Sequence, residues 1–323
     1  MTYSILKPLL FKLSPETAHN LAIRALNYNL IPHPKITQYP SLQSQVFGID
    51  FENPIGMAAG FDKNAQVFDN LFNFGFGFVE VGTVTPKPQT GNEKPRIFRL
   101  EEDLAIINRL GFNNLGIENF LANIKNKSCH HQILGINIGK NKDTQNAVED
   151  YLLLLKKTYG KSNYITINIS SPNTKNLRDL QKADELDLFL KAILVEKNNL
   201  QNATGKNIPV LLKIAPDLNQ AEQEAIADIA LKNNIDGLII GNTTISRPEN
   251  LQSKYKNQTG GLSGKPLFEI SNIVLQNIYR LTKGKIPIIA AGGVSSGADA
   301  YHKIKLGASL VQIYSAFIYK GFG

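Results

Sequence analysis

The chain reads as an α/β protein, a single (β/α)8 TIM barrel with a short N-terminal two-helix extension and a truncated C-terminal eighth helix. Three observations support this. Eight short runs rich in apolar and β-branched residues follow one another after Pro40. Most gaps between them hold one segment of helical periodicity, such as Leu186 to Leu200 or Ala221 to Leu231, the pattern of βα units whose parallel strands are buried on both faces. The rival, a doubly wound open sheet, should carry a dinucleotide glycine fingerprint in its first βα turn, and GMAAGFDKN lacks GxGxxG.

Taken in order, Ile5, Leu6, Leu9, Leu10, Phe11 and Leu13 cluster ahead of Ser14-Pro15-Glu16, which predicts an N-cap, a proline at the first helical position and an acidic first turn. A second helix should follow with Ala18, Leu21, Ala22, Ala25 and Leu26 on one face. Residues 1–40 carry a net +3, from Lys7, Lys12, Arg24 and Lys35 against Glu16. Such helices suit either packing on the main domain or lying on a membrane surface. The chain therefore divides into residues 1–40 and a barrel over 41–323.

VFGI (46–49) is expected in a small leading hairpin. The barrel strands are PIGMAAG (54–60), FGFVEVGTV (76–84), ILGINIG (133–139), YITINIS (164–170), PVLLKIA (209–215), GLIIGN (237–242), IPIIAAGGV (286–294) and SLVQIYS (309–315). Connections 85–132 and 243–265 are too long for plain βα loops, and loops of that length tend to be functional. Only eight residues follow Ser315, too few for a full final helix. Either that helix is lost or the N-terminal helices cover its flank.

Composition narrows the function classes. At 323 residues, 42% hydrophobic and 19% charged, the chain can bury a large core, which excludes disorder. The lone Cys129 has no partner within the chain, so a reduced compartment is expected, and the neighbouring His130 and His131 make only a weak metal signal. Without CxxC or HExxH spacing no metal is expected. The net charge of +8 suits an anionic substrate, a phosphate-bearing cofactor or an acidic membrane surface. No basic run of five residues and no basic stretch threaded with aromatics occurs, which disfavours nucleic acid. No apolar segment reaches transmembrane length, and the N-terminus lacks a signal-peptide pattern.

A barrel of this kind places its site at the C-terminal ends of the strands. Along that rim fall Ala59, Gly60 and Lys63, then Thr83, Asn137, and Asn168 with Ser171 and Asn173. Lys213, Asn242 with Thr243, Gly292 with Gly293, and Tyr314 with Ser315 complete it. Each alone is commonly a satisfied turn group; their convergence from eight strands argues for a site. Gly292-Gly293 and Gly264 suit a phosphate cradle on the last strands. Lys213 lies in the apolar strand VLLKIAPD, where it must find an anion or lose its charge. It fits either a Schiff-base lyase or a flavoenzyme whose reduced, anionic ring it faces. The many asparagines, able both to donate and to accept, suit the edge of a pyrimidine or flavin better than an aldolase's carboxylates. A barrel that has lost catalysis along with its last helix is the non-enzymatic rival.

The segments GMAAGFDKN, NRLGFNN, GINIGKNKDT, INISSPNT, LLKIAPD, GNTT, TGGLSGKPL, AAGGV and LVQIYS resemble the dihydroorotate dehydrogenases, specifically the membrane-associated, quinone-linked class 2. The resemblance implies FMN on a (β/α)8 barrel and oxidation of (S)-dihydroorotate to orotate in pyrimidine synthesis. It puts FMN against Ala59, Gly60, Lys63, Thr83, Asn137, Asn168, Lys213, Gly241, Gly264, Gly293, Tyr314 and Ser315. Dihydroorotate or orotate would meet Lys63, Asn108, Arg109, Leu110, Gly111, Phe112, Asn168, Asn173, Asn242 and Thr243, with Lys63 on the substrate carboxylate.

Ser171 would be the general base, where the soluble class 1 enzymes have cysteine, and this serine points to a quinone acceptor. His19 and Arg99 match positions near the quinone head group. The resemblance further implies a monomer held peripherally on the cytoplasmic face of a bacterial membrane. Three departures stand out: Phe61 and Ala65 in a loop expected to read closer to GLDKNG, Gly241 where the family often has Thr or Ala, and the short C-terminus.

Overall fold

The computed structural model describes residues 2–126 and 132–321, so the weak metal signal at Cys129, His130 and His131 lies outside the described residues. Eight parallel strands close into a barrel in chain order: β1 (Ile55–Met57), β2 (Phe78–Val84), β3 (Ile133–Ile138), β4 (Tyr164–Asn168), β5 (Val210–Ile214), β6 (Gly237–Ile240), β7 (Ile288–Ala291) and β8 (Leu310–Ile313). The first is shorter than expected, yet the ladder continues in single bonds, Ala58 N–H to Ile313 O at 3.0 Å and Gly60 N–H to Gly82 O at 2.8 Å.

Because side chains alternate along a strand, every second residue enters the barrel. Phe78, Tyr164, Leu211, Ile239, Ile289 and Leu310 form an apolar lower layer. Two residues further along β2, β4, β5 and β8 come Glu80, Thr166, Lys213 and Gln312, which with Asn137 of β3 make an upper, polar layer. The intervening residues, such as Val79, Ile165, Leu212 and Ile288, face the surrounding helices and build the larger core. Full burial of each such side chain contributes about 1.5–3 kcal/mol.

The lower end is plugged by the expected hairpin, Ser44–Val46 against Ile49–Phe51, whose Val46 and Phe51 join the lower layer. VFGI proves to straddle its turn: Phe47 and Gly48, at φ 58° and 74°, are the two left-handed central residues of a tight hairpin.

Helices α1 (Thr2–Lys12) and α2 (Pro15–Asn27) form as expected, with Ser14 accepting from Thr17 N–H and Pro15 opening α2. The packed face of α2 differs in one residue, since Leu21 turns to solvent while Ile23 joins the core beside Leu26. Of the two alternatives for the last flank, the structure supports coverage by the N-terminal helices. The chain beyond β8 forms a short helix, α3 (Ser315–Lys320), whose Tyr319 stacks edge-on with Phe11 of α1 at 5.7 Å.

The two long connections hold strands that local pattern did not reveal. Ile97–Leu100 pairs with Ala105–Asn108, which pairs with Gly261–Gly264, an antiparallel sheet drawn from both excursions. Phe98, Leu100, Ala105, Ile107, Leu251 and Leu262 give it a small core of its own.

Candidate active site

The cavity over the C-terminal ends of the barrel strands is closed on one side by this sheet, through Ile97, Ile106, Ser263 and Gly264. Ala59, Gly60, Lys63, Thr83, Asn168, Lys213, Gly241, Gly264, Gly293, Tyr314 and Ser315 all line it. So do Asn108, Leu110, Gly111, Phe112, Ser171, Asn173, Asn242 and Thr243.

Two predicted site residues are placed otherwise. Asn137 lies one layer below the cavity, fully buried, its amide used by neighbours: Oδ1 accepts from Thr83 Oγ1 at 2.5 Å and Asn168 Nδ2 at 3.0 Å, and Nδ2 donates to Glu80 at 2.8 Å. Arg109 points its guanidinium away, over the Phe98 ring at 4.7 Å and onto Pro95 O, Gln258 and Thr259. Only its backbone serves the loop, where its carbonyl accepts from Asn92 Nδ2 at 3.0 Å.

The SSPN turn after β4 is cross-braced. Asn173 Nδ2 donates to Asn108 O at 3.1 Å, joining the turn to the antiparallel sheet. Ser170 Oγ donates to Asn168 Oδ1 at 2.9 Å and accepts from Asn242 Nδ2 at 2.8 Å, joining it to β6. Arg178 adds bonds to Ser170 O at 2.9 Å and Thr243 O at 3.0 Å and pairs with Asp217 at 2.7 Å. Ser171 Oγ accepts one weak turn bond, from Asn173 N–H at 3.3 Å, and otherwise faces the cavity.

Charge is concentrated at two points. Lys213 is buried, with Nζ 3.8 Å from Glu80 Oε1. Burial lowers its pKa, and the Glu80 carboxylate opposes that without cancelling it. At the other wall, burial first and the Arg96 guanidinium second pull the Lys63 pKa down to about 8, against the Glu16 carboxylate. Arg96, a residue the sequence did not single out, bonds Glu16 of α2 at 2.8 and 3.1 Å and fixes that helix to the mouth.

His19 lines a small cavity with Phe61 and Lys63, whereas Arg99 is engaged with α1. His19 packs edge-on against Phe61 at 5.3 Å, beside Lys63, where burial pushes its pKa down to about 3 and keeps it neutral. Arg99 donates to the Leu10 carbonyl at 3.4 Å and to that of Leu13, holding the end of α1. Phe61 fills the space among His19, Tyr314 and Phe317, which accounts for a large ring in that loop. Gly241 is demanded by its surroundings: at φ 103° a Cβ would stand 2.2 Å from Ala291 O.

The donor set fits a flavin. Gly293, at φ 76°, has no room for a side chain against the Phe268 backbone, so its turn presents bare backbone to the cavity. Gln312 Oε1 and Thr243 Oγ1 are buried without a partner among the described residues, at residues that line the cavity. An acceptor of that kind suits the N–H groups of a heteroaromatic ring. Among the described residues no cluster of three metal-ligating side chains occurs.

A family model described as dihydroorotate dehydrogenase matches residues 41–323. Proteins named dihydroorotate dehydrogenase (quinone) from Azorhizobium caulinodans and Aromatoleum aromaticum are each 49% identical, over 99% of this chain and 90% and 92% of their own. A crystal structure of the ligand-free enzyme from Eimeria tenella superposes with a TM-score of 0.91 at 45% identity, over 95% of this chain and 90% of that one. A second, in complex with ferulenol, gives 0.91 at 43%, over 95% and 87%. On its fold, its cavity and these matches, the chain belongs to the dihydroorotate dehydrogenase family.

Proposed function

We propose that this chain oxidises (S)-dihydroorotate to orotate with FMN as hydride acceptor and a membrane quinone as final electron acceptor, the redox step of pyrimidine synthesis. One observation carries the reading: a buried lysine (Lys213), a row of amides (Asn108, Asn168, Asn173, Asn242) and a serine facing the open space (Ser171) meet in one cavity. Lys63 binds the substrate carboxylate. Asn108, Asn173, Asn242 and Thr243 hold the alternating N–H and C=O edge of the pyrimidine, since amides match both. Asn168 serves the substrate and the flavin together.

When bound, FMN supplies the two-electron acceptor for the hydride leaving C6. Ser171 takes the proton from C5 and passes it to solvent, because a hydroxyl cannot keep it at neutral pH. The antiparallel sheet and Phe112 exclude bulk water, and Lys213, which lines the same cavity, would stabilise negative charge on a bound flavin.

Residues 1–40 serve the quinone and the membrane. Ile5, Leu6 and Leu9 of α1 are 72%, 48% and 61% exposed, an apolar outer face that suits an interfacial position. No helix among the described residues is long and apolar enough to cross a membrane. His19 and Arg99, by the family resemblance, lie near the quinone head group, and the protein acts as a monomer on the cytoplasmic face of a bacterial membrane.

The test is direct. Purified protein should be yellow, release FMN on denaturation, and lose its visible absorbance when dihydroorotate is added without oxygen. Release of FAD or of no flavin, or trapping of substrate on Lys213 by borohydride, overturns the assignment.

A further inference from the structure

We propose that Glu80, which no motif singles out, is the positioning residue of the site: one buried carboxylate that keeps Lys213 an ammonium and sets the direction of the cavity's amide and hydroxyl dipoles. The inference rests on the assignment of the flavin to the cavity above Lys213.

Glu80 stands on β2 with no exposed surface. Oε1 accepts from Asn137 Nδ2 at 2.8 Å, and Oε2 accepts from Tyr164 OH at 3.1 Å, Thr166 Oγ1 at 3.0 Å and Gln312 Nε2 at 2.9 Å. With Lys213 at 3.8 Å, partners from β3, β4, β5 and β8 converge on it. Donor-only amide nitrogens reach both oxygens, Asn137 Nδ2 on Oε1 and Gln312 Nε2 on Oε2, and with the facing lysine and the two hydroxyls they favour the ionised form. A carboxylate in such an interior needs a counter-charge, and Lys213 is the cation facing it. The other titratable group against it is Tyr164, whose ionisation burial and Glu80 push well above the ordinary range.

The second consequence is directional. With Asn137 Nδ2 drawn to Glu80, its Oδ1 is left to receive Thr83 Oγ1 and Asn168 Nδ2, two groups that line the cavity. Likewise Gln312 spends its amino group on Glu80 and keeps Oε1 unpartnered. A neutral group in its place leaves either amide free to present its other end. Its charge therefore selects which atoms a ligand meets.

The experiment measures flavin content and the pH dependence of the bound flavin's midpoint potential in the holoenzyme, in Glu80→Gln, in Lys213→Met and in the double variant. With Lys213 already charged, reduction by dihydroorotate brings two electrons and one proton to the flavin as hydride. In Glu80→Gln the buried amine starts neutral and takes a second proton from solvent as the negative charge arrives, so the uptake per two electrons doubles from one to two. A purely structural role leaves that stoichiometry at one, and finding one overturns the inference.

Should Glu80→Gln hold too little flavin to titrate, the double variant decides. Removing both groups is expected to retain more flavin than Lys213→Met, because Lys213→Met alone leaves the Glu80 carboxylate buried without its counter-charge. A double variant no better than Lys213→Met overturns the pairing. If Lys213→Met itself leaves flavin content, spectrum and potential unchanged, the placement of the flavin is what fails; an effect of Lys213→Met with none of Glu80→Gln sinks only the role of Glu80.

Discussion

Replacing Ser171 by alanine separates a chemical group from a turn former. Among the described residues the hydroxyl has a single hydrogen bond, from Asn173 N–H at 3.3 Å, and a bond of that kind contributes about 1 kcal/mol. Losing it shifts the population of the turn by a factor of about five. The turn also keeps its other braces, from Asn242 to Ser170 Oγ, from Arg178 to Ser170 O and from Asn173 to Asn108. Loss of a positioned acid–base group instead costs roughly 10²–10⁴ in rate.

Stopped-flow reduction of the bound flavin by dihydroorotate isolates this step from the quinone half-reaction. Ser171→Ala should keep its flavin content and its orotate affinity while that rate falls by roughly 10²–10⁴. Ser171→Cys should recover part of the loss, since a thiol is the more acidic group. A fall of about fivefold or less in the alanine variant would reduce Ser171 to a turn former and leave the base elsewhere.

Lys63 offers a pH test. Its ammonium is present below a pKa of about 8 and is lost as pH rises through it, so kcat/KM for dihydroorotate should fall above pH 8 through a rising KM. Lys63→Arg should carry that fall to higher pH, because guanidinium stays charged, and a limb that does not move refutes the role. Ile5→Glu with Leu9→Glu, on the exposed face of α1, should weaken sedimentation with anionic vesicles and slow quinone turnover, while flavin reduction by dihydroorotate stays unchanged; unaltered vesicle binding would refute the membrane face. Gly241→Ala forces a Cβ to 2.2 Å from Ala291 O at φ 103°. Backbone strain alone costs about 1–3 kcal/mol, so its thermal midpoint should drop by several degrees, and an unchanged midpoint would show that the barrel yields there.

Much of the fold was written in local pattern. Short apolar runs with helical segments between them are strands and helices for reasons internal to each stretch, and the Ser14-Pro15-Glu16 start caps its own helix. The polar rim was legible too, because strand ends in a parallel barrel share one edge whatever their partners. Lys213 announced itself as a charge in an apolar run. Glu80 carries the same signal within FVEVGTV, but a carboxylate there reads as ordinary alternation until Asn137, Tyr164, Thr166 and Gln312 are brought around it from strands up to 232 residues away. The antiparallel sheet over the cavity was hidden for a related reason: Ala105–Asn108 and Gly261–Gly264 are short and irregular alone, and become strands by pairing with each other. Asn137 and Arg109 show the same limit from the other side. An amide or guanidinium bonds whatever donors and acceptors the fold brings nearest, and the protein partners of these two side chains come from distant segments that local pattern does not reveal.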